Sequence, residues 1–181
     1  MQDERAEGTS RVLRTAQLIV ISLVVGVSVF AAIVLFLADG GGPPAQGAGT
    51  VSLIILGFSL VSFAARFVVP SLLVSGACRQ IARGTWRPAR RGSEPAPDTE
   101  RGKLVPVFLT KTIAGSAALE GAACACLVAY MIEGQLYMLV LAAVFTAGIL
   151  AGFPTSGGLD AWLERHERLV NEFRGMPGHH G

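Results

Sequence analysis

The chain has 181 residues, 51% hydrophobic and 15% charged, with a formal net charge of +2 and a mean hydropathy of +0.53. A water-soluble domain carries about 25% charged residues, and here the charges sit in blocks that leave long neutral runs between them. That segregation excludes an ordinary soluble domain and points to an integral membrane protein with short soluble parts.

Residues 1–16 form a polar tail carrying Arg5, Arg11 and Arg14. The first apolar run, 18–37, holds no charge. It exceeds the roughly 7–15 residues of a signal-peptide core and ends without a small-x-small cleavage site, so it is expected to remain as a helix. The segment Asp39–Thr50 is rich in Gly and Pro and reads as a flexible connector. The second run, 51–77, is interrupted only by Arg66, and Pro70 four residues later cannot donate to the Arg66 carbonyl. A tilt or kink is expected there. Residues 79–104 have few apolar side chains and read as a solvated loop, with Trp86 suited to a membrane interface. The third run, 108–132, contains Glu120, and the fourth, 136–153, is the shortest. A spanning helix needs about 20 residues, so four spans are expected in a domain covering 17–153. The short link Glu133-Gly-Gln135 makes the third and fourth spans an antiparallel hairpin.

Within 154–181, Leu159, Trp162, Leu163, His166, Leu169, Val170 and Phe173 recur at helical spacing, with charges filling much of the other side. This is an amphipathic helix ending near Gly175. It is expected on the inner membrane surface or against the cytoplasmic end of the bundle. The sequence therefore reads as all-α: an integral membrane four-helix bundle with a C-terminal amphipathic cytoplasmic helix. Basic residues fall in the N-terminal tail, in the middle loop and after the fourth span, and are absent from the two other connections. That bias places both termini and the middle loop in the cytoplasm. The expected location is a bacterial inner membrane.

Cys124 and Cys126 lie two apart on a helix and so point to different sides. They read as small packing residues, and with Cys78 they imply no disulfide framework. No phosphate-binding glycine loop, metal-ligand cluster or nucleophile–base pair is evident, so no enzyme activity and no cofactor are expected. The bilayer is the first partner, followed by another copy of the chain or a second membrane protein. No nucleic-acid partner is implied.

Glu120 is the residue most in need of a role. A charge at a helix centre in a bilayer costs roughly 2.5–3.5 kcal/mol on insertion scales, so a carboxylate there is a functional candidate. Its helix face holds Ile113, Ser116, Ala117, Ala123, Cys124 and Leu127, and the opposite face holds Gly115, Ala118, Ala122, Ala125 and Ala129. Small residues on both sides suit close helix contacts, so this helix is expected to be the most buried and Glu120 to point into protein. Ser52, Ser59, Ser62 and Arg66 share one stripe of the second span. Glu120 lies about 12 Å and Arg66 about 7 Å inside the cytoplasmic edge, taking that edge near Thr112 and Pro70. An arginine side chain can bridge that difference or extend to the headgroups. Paired with Arg66, Glu120 stays ionised as a clamp. Unpaired, it is held protonated by desolvation and can bond Ser62 or Ser116.

The stretch Ile113-Ala-Gly-Ser-Ala-Ala-Leu-Glu120-Gly-Ala-Ala-Cys-Ala-Cys-Leu-Val-Ala-Tyr-Met-Ile132 resembles the acid-bearing helix of the ATP synthase proteolipid, subunit c. The resemblance implies a proton- or sodium-binding carboxylate at Glu120. This chain lacks the Arg-Gln/Asn-Pro loop before that helix and the glycine repeat of the preceding one, and it has more spans than the two of the usual subunit. The combined expectation is a non-enzymatic structural or accessory component acting through helix–helix contacts. The alternative is a proton- or ion-handling protein in which Glu120 titrates, with Arg66, Ser62 and Ser116 around it.

Overall fold

The computed structural model describes residues 2–40, 49–86 and 99–175, and nearly all of them are helical. Five helices follow one another: α1 (Gln2–Gly40), α2 (Thr50–Ala82), α3 (Glu100–Glu133), α4 (Leu136–Ala151) and α5 (Ser156–Gly175). Three are long and apolar enough to cross a membrane, or four if α4 and α5 are taken together as one broken span. Alone, α4 has 16 residues, about 24 Å at 1.5 Å per residue, which is short of a bilayer core of about 30 Å.

Several boundaries differ from the sequence expectation, and α2 runs past residue 77 to Ala82. The tail before residue 17 is part of α1, and α3 starts at Glu100 within the expected loop. The α3 start has a local cause: Thr99 accepts the Gly102 amide on its hydroxyl at 3.2 Å, which satisfies one of the unpaired amides of a first turn. Pro70 sits inside α2, and the helix continues through it to Ala82. Residues 87–98, the centre of the expected loop, lie outside the described residues.

The helices form two compact units. The first, Gln17–Val69 with Ile113–Phe153, contains segments of α1, α2 and α3 together with α4. Val20, Val27 and Val34 place one residue of α1 in its core every seven positions, against Leu119, Ala122, Ala123, Cys126 and Leu127 of α3 and Met138, Phe145 and Ile149 of α4. The most apolar stretch of α3 is 44% buried, against 17% for α1 and for α2. The alanine and glycine content of α3 explains this, because small side chains let neighbouring backbones approach. The α3–α4 turn depends on Gly134, whose φ of +68° suits glycine and lets its amide reach the Tyr130 carbonyl at 2.7 Å.

The second unit contains Met1–Ala16, Pro70–Thr112 and Pro154–Gly181. Here α5 buries Leu159, Trp162, Leu163 and Val170 against Val74, Cys78 and Ile81 of α2 and Leu104, Val105 and Phe108 of α3. Arg101 pairs with Asp160 at 2.6 Å and Arg174 with Glu100, joining the polar edge of α5 to the first turn of α3. Of the two expected places for the amphipathic face, the structure supplies the protein one.

Candidate functional site

In the first unit, α2 is polar inside and apolar outside. Ser52, Ser59 and Ser62 are buried, whereas Leu53, Ile54, Phe58, Leu60, Val61, Phe63 and Phe67 are exposed. The sequence stripe of Ser52, Ser59, Ser62 and Arg66 is thus the inward face. Ser52, Ser59 and Arg66 are seven residues apart, a spacing that returns each to one seam of a packed helix pair.

The seam meets α3 rung by rung. At one end Glu133, the last residue of α3 and only 4% exposed, accepts the backbone amides of Val51 and Ser52 on its two carboxylate oxygens, both at 2.8 Å. These are first-turn amides of α2, which have no partner within their own helix. A carboxylate also complements the positive end of the helix. Ser59 Oγ lies 3.4 Å from Cys126 Sγ, seven residues back along α3. Arg66 reaches α3 one step further on, donating from Nη1 to the Gly115 carbonyl at 3.4 Å.

Arg66 also touches α4. A Cβ built on Gly152 would stand 2.6 Å from Arg66 Nη2, so glycine there makes room for the guanidinium. Gly152 closes α4, with its amide directed to carbonyls of the last turn. A cation beside a helix C-terminus is favourable, and Arg66 joins α2, α3 and α4 without a carboxylate.

Glu120 stands apart from this seam. It is half-buried and faces α1, where a Cβ on Gly26 would lie 3.8 Å from its Oε1. Of the two alternatives, paired with Arg66 or unpaired, the structure shows the second: the ion pairs among the described residues are Arg101–Asp160 and Arg174–Glu100. Ser62 and Ser116 are buried, but neither hydrogen-bonds Glu120 among the described residues. The structure therefore separates the four residues grouped from the sequence. Arg66 works in a seam with Glu133 and Ser59, while Glu120 faces a different helix.

Glu133 escaped the sequence reading because it was placed in the short external link. Its signal was present: an acid ending one helix, beside a connection too short to remove it from the bundle. No protein-family model matches the chain, and neither a curated protein nor a solved structure matches it.

Proposed function

We propose that this chain is a multi-pass membrane protein of non-enzymatic, structural or accessory type, working through helix–helix contacts with a second copy or another membrane protein. The inverted polarity of α2 carries this reading. Burying serines while exposing a face of Leu, Ile, Val and Phe is unfavourable in water, where contiguous apolar patches are small, and suits lipid or a neighbouring apolar helix. The ionisable groups of the seam are spent on neighbouring backbones, which is what an architectural role requires. Single cysteines placed in turn along the outer face of α2, from Phe58 to Phe67, test it by oxidative cross-linking in membranes. Cross-linking to a partner at helical periodicity is expected. A protein that stays monomeric at every position and co-purifies with nothing would refute it.

A second reading rests on Glu120, whose carboxylate has no ion pair or hydrogen bond among the described residues. A half-buried carboxyl on an apolar helix is the kind of group a proton- or ion-handling protein uses. It should react with a hydrophobic carbodiimide. Absence of labelling at every pH would reject it.

A further inference from the structure

We propose that Lys111, Arg165 and His166 form a binding site for a phosphate-bearing anion, either a lipid headgroup or free phosphate. All three belong to the second unit, and Lys111 and His166 gather on one indole. Lys111 Nζ lies 5.2 Å from the Trp162 ring centre and 5.6 Å from that of Phe108. The His166 ring stacks on Trp162 with centroids 4.0 Å apart and an interplanar angle of 25°. His166 Nδ1 donates to the Trp162 carbonyl at 2.7 Å, leaving Nε2 for a ligand. Arg165 is exposed, and its charge acts on both Lys111 and His166.

Positive charges brought together in this way repel one another and call for a counter-charge, and among the described residues no ion pair to Lys111, Arg165 or His166 forms. At about 100° per residue, Arg165 and His166 flank Trp162 on α5, whereas Asp160, Glu164 and Glu167 project at least about 140° away from it. Asp160 is paired with Arg101 and Glu100 with Arg174. The ring faces beside Lys111 offer only cation–π attraction, which restores part of the hydration that a half-buried ammonium loses. A phosphate answers the deficit, because Arg165 can bind it in fork geometry while Lys111 acts as a point charge and His166 donates from Nε2 once protonated. The inference stands apart from the architectural reading, which concerns the other unit.

Histidine NMR on the full-length protein in maltoside micelles, which carry no phosphate, tests the site at low ionic strength. His166→Asn assigns the signal. Adding inorganic phosphate, or phosphatidylglycerol to the micelles, should raise the His166 titration midpoint by about one pH unit, beyond any shift at His179 and His180, which serve as the reference for general surface charge. A response to the lipid alone assigns a headgroup site, and a response to inorganic phosphate assigns a free-phosphate site. Lys111→Gln should remove most of the rise and Lys111→Arg should keep it. Arg165→Gln repeats the comparison at an exposed position that leaves the aromatic cluster intact. A midpoint that moves with neither probe, or moves equally in the parent, Lys111→Gln and Arg165→Gln, overturns the proposal.

Discussion

Single residues carry more of this fold than their number suggests, and Glu133 is the clearest case. Its carboxylate satisfies two amides that open α2, at 2.8 Å each, and a buried donor left without a partner costs about 1–3 kcal/mol. Glu133→Ala should therefore destabilise the protein by about 2 kcal/mol or more. Glu133→Gln, which keeps one carbonyl acceptor, should lose less. Thermal unfolding in detergent measures both, and an unchanged Glu133→Ala protein would remove the carboxylate from the account. The seam was half-legible in advance. The stripe of Ser52, Ser59, Ser62 and Arg66 follows from helical periodicity alone, because polar residues on an apolar helix are conspicuous. Its partners do not, because which α3 residue meets which serine depends on the register of two helices distant in sequence. By depth alone Arg66 can meet Glu120 or extend to the headgroups. The guanidinium instead uses a carbonyl and a helix end, acceptors that every residue possesses and that no sequence pattern marks.

At the scale of elements, Arg66 links three helices and Gly152 is the position that admits it. Gly152→Ala should displace the guanidinium, and because that group ends a flexible chain the cost should be modest, about 1 kcal/mol. In an Arg66→Met background the same change should cost almost nothing, so unfolding midpoints should show a coupling of at least about 0.5 kcal/mol. Additive effects would show that Arg66 does not occupy the space beside Gly152. The helix α5 gives a pH test. Burial, opposed by the hydrogen bond to Trp162 and reinforced by the charges of Lys111 and Arg165, holds His166 below its ordinary pKa. Below the ordinary value of about 6.5 the unfolded chain then binds more protons at this site than the folded one, so stability is full above that pH and falls as the solution is acidified through it. His166→Gln should flatten that dependence between about pH 7 and 5, and an unchanged profile would place the acid-sensitive group elsewhere. The existence and end of α5 were readable from its spacing of apolar residues. The starts of α1 and α3 are not, since the charged residues there suit a polar tail and a solvated loop equally well. Val12 and Leu13 pack against the second core, and the first turn of α3 is held by the local Thr99 cap and by ion pairs that arise only once α5 is in place.

For the whole molecule, two kinds of surface argue for one environment. The first unit exposes Leu, Ile, Val and Phe along α2 and α1, whereas in the second unit charged residues such as Arg79, Arg101, Asp160, Glu164, Arg165 and Arg168 are exposed. The basic residues of the chain are concentrated in the segments 1–16, 79–104 and 154–181, which largely coincide with the second unit, so hydropathy and charge bias assign the same residues to the aqueous side. If the chain crosses a membrane as proposed, the positive-inside bias predicts that side to be cytoplasmic. The segment between α1 and α2 has no basic residue and should lie on the opposite face. In a variant with the native cysteines removed, a cysteine at Ala45 should be labelled by a membrane-impermeant maleimide in intact spheroplasts of the expression host. Cysteines at Ser93 and Gly178 should be labelled only after lysis. Labelling of both Ser93 and Gly178 in intact spheroplasts would reverse the orientation, and labelling of Gly178 without Ser93 would mean an odd number of crossings after the middle loop. The second outcome is a real contest, because α4 is short by itself and the positive-inside argument for the C-terminus requires both α3 and α4 to cross.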